Sequence, residues 1–556
     1  MSATRKLSVA PTVLSVAAVV LSARLGFTPS QARAAAAVSK PNIVVILADD
    51  LGYGDTGAYG SKIVLTPNID ALAASGVRFT DGYVTHPVCS PSRAGLMTGR
   101  YQERYGWEFN PKGRDKANGV SLNEIMLPKV MKEAGYTTGM IGKWHLGQPG
   151  PYYPAQRGFD FFFGFAGGGS VYIIDPKPGD AFEGAGSDDE IDDVADARPA
   201  PDITDSAQLR LRLEAARERA PITRNGVPVH VTEYQTDAFT REGVNFIDQH
   251  RNQPFFLYMA YHAPHKPLQA TKKYYDRFPE IALKPLRIHT AMISAMDDGV
   301  GALVAKLKAD GLDKNTIIFF LSDNGCPSSV GEEGACSNAP LVGFKRTHFE
   351  GGVRVPFIVS WPGHVPAGRV DSRVVSSLDI FPTAVAAAGG KLPADRAYDG
   401  VDLMPFLTSK LGDPPNPTLY WRAGPNFAIR DGGWKMMLTN KARPGEEASS
   451  ELKSQGNKRL AKGDKGNKGD KKGLKGGIED PSSQPPTASP FGQHTMLYDL
   501  SQSPTETLNL ATQRPAIVSS LKGKIDAWNK LLVPPQWISK TQHDVTYDGV
   551  RLHLYD

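Results

Sequence analysis

Apolar, β-branched runs of strand length alternate with helical patterns along most of the chain. The run Asn42–Ala48, with the sequence NIVVILA, ends in a glycine-rich loop, as strands that are buried on both faces do. A helical pattern over about 235–250 leads into the apolar run Phe255–Tyr261. A second pattern over about 289–309 leads into Ile317–Ser322. This alternation predicts an α/β fold, in which helices cover both faces of a large mixed sheet and the strands carry functional side chains at their carboxyl ends.

Local signals predict two further helices. Pro67 suits the first position of a helix that ends before Gly76. Another helix is expected from Ser121 to Gly135, because Glu124 lies three residues after Ser121 and would complete a capping box.

The pattern changes toward the C-terminus. Phe427–Leu438 has the pattern of a hairpin with an Asp-Gly-Gly turn, Met496–Leu500 that of a strand, and Ala516–Leu532 that of a closing helix. We therefore expect a main domain over 38–410 and a smaller C-terminal α+β subdomain over 411–556.

Two polar insertions interrupt this arrangement. The first has an acidic stretch at 188–193 and an arginine-rich helical pattern at 207–220. The second, over 441–490, is rich in Lys and Gly and too polar to bury, so we expect it to be disordered. The nine basic and two acidic residues between Lys453 and Lys475 give this tract a net charge of +7. Since the whole chain carries +5, the rest of it carries −2. Nucleic-acid binding is therefore not expected. The tract is either a solvated loop or a site for a polyanionic polysaccharide or a cell surface.

The N-terminus has the three parts of an export signal. Arg5 and Lys6 precede the apolar stretch Leu7–Leu21, and Ala34–Ala37 offers small-residue cleavage sites. The apolar stretch is short for a membrane span, so a retained anchor is the weaker alternative. We expect a signal peptide over 1–37, no stable membrane span, and a mature protein that is secreted or periplasmic.

The chain has three cysteines. Cys326 and Cys336 are close in sequence and can form a disulfide in an oxidising compartment, which would leave Cys89 alone. The alternative is that all three are ordinary buried thiols, which the count does not exclude.

Cys89 opens the stretch C-S-P-S-R-A-G-L-M-T-G-R. Because Pro91 suits the first turn of a helix, Cys89 would lie at a helix N-terminus. Free backbone N–H groups there favour negative charge on a thiolate or on an oxyanion beside it. The alternative is a buried cysteine that happens to precede a helix.

Oxygen ligands follow two of the predicted strands. Asp49 and Asp50 end the first, and Asp323 and Asn324 end another. Three carboxylates and an amide suit Ca²⁺ and do not resemble the ligand set of a zinc site. Taken separately, an Asp pair can cap a helix and Asp-Asn-Gly is a common turn.

Basic and imidazole side chains accompany these acids. Arg93, Lys143 and Lys345 would crowd positive charge in a cleft unless an anion binds there, although a single lysine is more often a solvated surface residue. His145 and His265 are acid/base candidates, because imidazole titrates near neutral pH.

Together these stretches resemble the type I, formylglycine-dependent sulfatases, which are arylsulfatase-like members of the alkaline phosphatase superfamily. The stretch from Cys89 matches the family signature C-x-P-S-R-x-x-x-[LM]-T-G, and the resemblance runs from about Pro41 to about Ala511, except in the two insertions. It implies an alkaline-phosphatase-like fold with a sulfatase catalytic domain over 38–410. Further family motifs recur in order: Asp49-Asp50-x-Gly, Gly142-Lys143-Trp144-His145-Leu146-Gly147, His265-x-Pro267-Leu268-Gln269, Ser322-Asp323-Asn324-Gly325, and Lys345 shortly before Glu350-Gly351-Gly352-Val353-Arg354-Val355-Pro356.

The resemblance also implies a modified nucleophile and a cofactor. In that family a formylglycine-generating maturation enzyme oxidises the motif cysteine, so Cys89 would become formylglycine (3-oxoalanine). Because the pattern H-x-P-L-Q aligns with His265, His262 has a supporting role or none. The implied catalytic residues are Cys89, Arg93, Lys143, His145, His265 and Lys345, and the implied Ca²⁺ ligands are Asp49, Asp50, Cys89, Asp323 and Asn324.

The implied mechanism uses formylglycine hydrate, a geminal diol whose alkoxide Arg93 and Lys143 stabilise. One oxygen attacks sulfur while His265 or Lys345 protonates the departing alcohol. His145 then removes the proton of the second hydroxyl, and sulfate leaves.

The expected substrate is a sulfated carbohydrate, selected by loops at 165–235 and 326–345. Two alternatives remain open. One is a phosphonate or phosphodiester hydrolase of the same superfamily, which can share C-x-P-S-R. The other is a non-catalytic glycan-binding homologue, which the oxidation state of residue 89 would distinguish.

Overall fold

The computed structural model describes residues 40–111, 118–148, 150–183, 213–215, 218, 220–327, 334–408, 413–440, 493–537, 539, 542–547 and 550–555. The signal peptide expected over 1–37, the acidic stretch at 188–193, the tract over 441–490 and most of the segment 207–220 lie outside the described residues. Within the described ranges, no helix is both long enough and apolar enough to cross a bilayer.

Ten strands form one mixed sheet, which confirms the predicted α/β architecture. Its five central neighbours, from Phe161–Phe165 to Thr316–Ser322, all run parallel. Antiparallel pairs extend the sheet on both sides. In spatial order the strands are Val227–Pro228, Thr223–Arg224, Phe161–Phe165, Thr137–Lys143, Phe255–Pro264, Asn42–Asp49, Thr316–Ser322, Phe357–Ser360, Val77–Phe79 and Arg369–Asp371.

The central strand Asn42–Asp49 packs helices against both of its faces. Because side chains alternate along a strand, Val44 and Ile46 join one core cluster and Ile43 and Val45 the other, and none of the four is exposed. Burial on both faces is why this segment has a continuous apolar sequence. The helices of the Val44 cluster are Pro67–Ala74, Gln235–His250 and Lys284–Ala309, and those of the Val45 cluster are Cys89–Thr98, Leu127–Glu133 and Ile380–Ala387.

The helix expected from Ser121 begins later, so that prediction is wrong. The helix is Leu127–Glu133, and Ser121 starts a turn that the N–H of Glu124 closes on its carbonyl. The carboxylate of Glu124 pairs with Arg100 at 2.8 Å and is not used as a cap. A tertiary ion pair has replaced the local capping interaction.

The smaller C-terminal sheet has four antiparallel strands, Thr418–Ala423, Asn426–Asp431, Trp434–Asn440 and Gln493–Asp499. The second and third strands of this sheet confirm the predicted hairpin. Asn440 and Gln493, the described residues on either side of 441–492, are cross-strand partners. Further strands are Gly82–Tyr83, Asn118–Gly119, Gly147–Gln148, Ala181–Glu183, Leu268–Ala270, Val375–Ser376, Gln542–Tyr547 and Val550–Tyr555. Further α-helices are Lys272–Tyr275, Glu350–Val353, Met404–Thr408 and Pro515–Asn529.

Candidate active site

The acidic residues lie at the carboxyl ends of two adjacent parallel strands. The backbone N–H of Asp50 donates to Asp323 Oδ1 at 3.1 Å, and the N–H of Asp323 donates to the carbonyl of Ala48 at 3.1 Å. Asp50 has a φ of 65°, a left-handed conformation that is uncommon outside glycine. The turn brings Asp49, Asp50 and Asp323 together, as the sequence predicts.

Cys89 is the first residue of the helix Cys89–Thr98 and is not exposed. Its thiol donates to Asp49 Oδ1 at 3.4 Å and lies 3.8 Å from Asp50 Oδ1. The next residue holds the helix in place, since the N–H of Ser90 donates to Asn110 Oδ1 and the Ser90 hydroxyl donates to the carbonyl of His145 at 2.6 Å. The N-terminal end of this helix therefore faces the carboxylates.

Arg93 and Lys143 form ion pairs with these carboxylates. Arg93, one helical turn after Cys89, donates Nε to Asp323 Oδ2 at 2.9 Å and lies 3.3 Å from Asp49 Oδ1. Lys143 Nζ donates to Asp49 Oδ2 at 2.8 Å. Both cationic side chains are fully buried, so each depends on its ionic partners for solvation.

Lys345 reaches the site from a loop that packs on the Ser322–Gly325 turn. Lys345 donates its backbone N–H to the carbonyl of Cys326 at 3.0 Å, and its Nζ to Asp50 Oδ2 at 3.0 Å. Gly325 has no room for a side chain, because a Cβ there would lie 1.7 Å from the carbonyl oxygen of Gly351. This contact explains the glycine at 325; at Gly351 a Cβ would instead lie 2.3 Å from the carbonyl oxygen of Gly343.

The motif that begins at Glu350 anchors the loop of Lys345 to the C-terminal sheet. The carboxylate of Glu350 receives Lys435 Nζ at 2.7 Å and Arg354 at 3.2 Å, and neither Glu350 nor Lys435 is exposed. Although burial raises it, the charge of Lys435 lowers the pKa of Glu350 to about 2. Glu350 and Arg354 of the motif are thus structural residues.

The two acid/base candidates lie just after the carboxyl ends of two neighbouring strands, Thr137–Lys143 and Phe255–Pro264. His265 Nε2 lies 3.6 Å from Asp50 Oδ2, and its Nδ1 is 2.7 Å from the carbonyl of Lys266. His145, with a φ of 57°, follows Lys143 by two residues and is tied to the site through its carbonyl and its N–H. His262, for which the motif implies a supporting role or none, stacks on the His265 ring.

The charged neighbours of each ionisable group in the site counteract the effect of burial on its pKa. Burial raises the pKa of Asp49, but the charges of Lys143, His265 and Arg93 hold it well below its usual range. Burial raises the pKa of Asp323 to about 6, although Arg93 lowers it. The pKa of Lys143 is raised, because the pull of Asp49 outweighs burial. The lysine therefore stays charged at neutral pH.

The oxygen ligands fit a hard divalent cation. Asn324 Nδ2 donates to Asp50 Oδ1 at 2.6 Å, while the buried Asn324 Oδ1 has no hydrogen-bond partner within the described part of the chain. Ligand atoms of Asp49, Asp50, Cys89 and His265 all lie within 4.8 Å of one another. The orphaned amide oxygen beside three carboxylates suits an oxygen-binding ion such as Ca²⁺.

Cys326 and Cys336 form a disulfide, and Cys89 is the cysteine that takes no part in one. The alternative of three ordinary thiols is therefore excluded. Sequence reasoning did not single out Tyr172, which packs beside His262 and His265. No motif surrounds Tyr172, so the contact depends on tertiary structure that local patterns do not reveal.

Comparisons with known proteins agree with this geometry. The sulfatase family model matches residues 41–390. N-acetylgalactosamine-6-sulfatase of Mus musculus is 35% identical over 415 residues, which are 73% of this chain and 73% of that protein. Arylsulfatase A of Bos taurus is 36% identical over 415 residues, which are 72% of this chain and 75% of that protein.

Solved structures give the same result for the fold. Ps i-CgsB in complex with k-i-k-neocarrahexaose has a TM-score of 0.70 at 33% identity, covering 90% of this chain and 95% of that chain. The phosphonate monoester hydrolase of Agrobacterium radiobacter shares the fold, with a TM-score of 0.54 at 19% identity, covering 93% of this chain and all of that chain (100%). With a family match over more than half of its length, this chain belongs to the sulfatase family and is a sulfuric ester hydrolase.

Proposed function

We propose that this sulfatase hydrolyses sulfate esters of a sulfated carbohydrate with a nucleophile made by oxidising Cys89 to formylglycine. The observation that carries the proposal is the position of Cys89, at a helix N-terminus 3.4 Å from Asp49 Oδ1. A thiolate there would face two carboxylates, which disfavour it. An oxygen nucleophile beside a bound cation suits this position better.

Calcium is the cofactor that the ligand set fits. Asp49, Asp50, Asp323 and Asn324 would hold it, with an oxygen of the oxidised Cys89 as a further ligand. When bound, the ion would lower the cost of negative charge on the nucleophilic oxygen.

Formylglycine hydrate, once formed, would supply two hydroxyls. The first, ionised by loss of its proton to water, would displace the alcohol from sulfur; the second, on losing its proton, would restore the aldehyde and release sulfate. Arg93 and Lys143 hold these oxygens through the charges that now pair with Asp49 and Asp323. His265 or Lys345 donates a proton to the alcohol oxygen as the S–O bond breaks. His145 accepts the proton of the second hydroxyl. The net reaction consumes one water.

Maturation requires access to Cys89, whose relative exposure is 0% in the folded chain. We therefore propose that the formylglycine-generating enzyme, with an external oxidant, acts before folding is complete. The disulfide between Cys326 and Cys336 supports an oxidising compartment, in keeping with a secreted or periplasmic protein.

The carbohydrate substrate rests on similarity. One relative is named N-acetylgalactosamine-6-sulfatase, and one structural neighbour is in complex with k-i-k-neocarrahexaose. The test is to co-express the chain with a formylglycine-generating enzyme and incubate it with sulfated polysaccharides, their oligomers and phosphodiesters. Released sulfate and phosphate are measured, and the mass of the peptide containing residue 89 is determined.

Sulfate release from a glycan by the matured protein, but not by Cys89→Ala, would support the proposal. Phosphate release alone would assign the chain to the phosphonate or phosphodiester hydrolase alternative. Full activity with an unmodified Cys89 would refute the proposed nucleophile.

A further inference from the structure

Three rings are stacked beside the site. Tyr172 stacks on His262 with a centroid distance of 4.6 Å and an interplanar angle of 6°. His262 stacks on His265 at 5.2 Å and 30°, and Phe165 packs against His262 at 5.1 Å and 74°. All of these rings are buried. We call Tyr172, His262 and His265 the ring stack.

The hydroxyl of Tyr172 also fixes the backbone that carries His265. It lies 2.6 Å from the carbonyl oxygen of His262 and 2.8 Å from that of His265, and it shares its proton between them. Tyr172 therefore holds both ends of the turn His262–His265 as well as the first ring.

Two glutamines hold Tyr172 and His262 in turn. Gln269 Oε1 accepts the backbone N–H of Tyr172 at 2.9 Å and that of Ile173 at 3.2 Å. Gln235 Oε1 lies 3.2 Å from His262 Nδ1, and its Nε2 donates to the carbonyl of Val171 at 3.1 Å. Gln269, the last residue of the H-x-P-L-Q motif, thus acts on the segment that bears Tyr172.

We propose that Tyr172 and His262 are positioning residues that hold the imidazole of His265 where it can donate a proton to the departing alcohol. The inference rests on the role given to His265 under the proposed function. The hydrogen bond from His265 Nδ1 to the neighbouring carbonyl of Lys266 does not by itself stop the ring from tilting. The flat ring of His262 against one face of His265 does.

The test is a series of para-substituted phenyl sulfates of similar shape, from 4-nitrophenyl to 4-methoxyphenyl sulfate, with the matured enzyme. A proton donor matters little for an acidic phenol and much for a weakly acidic one, so losing the donor steepens the dependence of kcat/KM on leaving-group acidity. A general acid contributes about 10²- to 10⁴-fold, and a displacement of about 1 Å can remove about 10²-fold. We therefore expect His262→Ala and Tyr172→Leu to slow the least acidic ester about 10- to 100-fold and 4-nitrophenyl sulfate by less than about threefold.

Three variants serve as controls. His262→Phe keeps a flat ring and is expected to retain the wild-type dependence. Tyr261 lies next to His262 on the same strand but outside the stack, and its buried hydroxyl bonds to Thr240 of the helix Gln235–His250, so Tyr261→Phe should change nothing. His265→Ala sets the dependence expected when the donor is lost.

Loss of rate by the same factor for every ester in His262→Ala would overturn the positioning role while leaving that of His265 intact. No steepening in His265→Ala would refute the role of His265 and this inference with it. A steeper dependence of kcat/KM on leaving-group acidity in His262→Ala, but not in His262→Phe, would support the proposal even if Tyr172→Leu fails to fold.

Discussion

Replacing Arg93 with Met should cost far more stability than replacing an arginine of similar pairing at the surface. Arg93 has no exposed side-chain surface and binds Asp323 through Nε at 2.9 Å and through a terminal nitrogen at 2.8 Å. Arg93→Met leaves that carboxylate buried without its partner. Breaking one side of a buried ion pair costs about 3–5 kcal/mol. Arg277→Met breaks a two-contact pair with Asp298 whose side chains are 37% and 40% exposed, and should cost less than about 1 kcal/mol.

The measurement is urea unfolding of the two variants and the wild type in the presence of a calcium chelator, so that only the charges of the chain contribute. The pKa of Asp323, about 6 in the presence of Arg93, rises further when Arg93 is lost. A carboxyl group whose pKa is raised in the folded state lowers the free energy of unfolding as the pH rises. The stability that Arg93→Met loses relative to the wild type should therefore be larger at pH 8 than at pH 5.5.

The double variant Arg93→Met, Asp323→Asn is the matched control. It removes both charges of the pair and should recover a large part of the lost stability. Equal losses for Arg93→Met and Arg277→Met, or no recovery in the double variant, would refute the reasoning that burial of the unpaired carboxylate sets the cost.

Three further predictions concern the nucleophile, the ion and a buried acid. Cys89→Ser should fold with an unchanged melting temperature but release no sulfate, because serine lacks the second hydroxyl; normal turnover would contradict the mechanism. A chelator should lower both activity and melting temperature, and Ca²⁺ should restore them better than Zn²⁺, since the ligands are oxygens; equal rescue by Zn²⁺ would argue against calcium. Burial raises the pKa of Asp379 to about 7 despite hydrogen bonds from Ser376 and Val401. Its contribution to stability should therefore fall by about 2 kcal/mol between pH 5.5 and 8. Urea unfolding of Asp379→Asn should lack this fall.

The sequence predicts which candidate residues lie close together better than it predicts some helix boundaries. Parallel strands end at one edge of a sheet, so Asp49 and Asp323 could be placed together from their positions after two apolar runs. The helix near Ser121 could not be delimited, because Glu124 is taken up by Arg100, which lies on another segment. A local capping rule cannot weigh a distant partner.

The ring stack could not be predicted from the sequence, also because it depends on contacts between distant segments. Tyr172 lies in a loop with no strand or helix pattern, and its partners are 90 and 93 residues away. Its importance becomes visible only when Gln235 and Gln269 bring that loop against the site. His265 could be identified from its motif, whereas the residues that orient it could not.

The pairing of Asn440 with Gln493 has a consequence for the length of the chain. Since the two residues are cross-strand partners in the sheet, whatever lies between them begins and ends at neighbouring positions. The cost of closing such a segment grows only with the logarithm of its length, by about 0.6 kcal/mol for each doubling. Cutting residues 441–492 to an eighth of their length would therefore gain only about 2 kcal/mol and leave the register of the strands unchanged. Loop closure between Asn440 and Gln493 therefore sets only a weak limit on the number of residues that join them, and this position is a candidate for inserting a tag or a second domain.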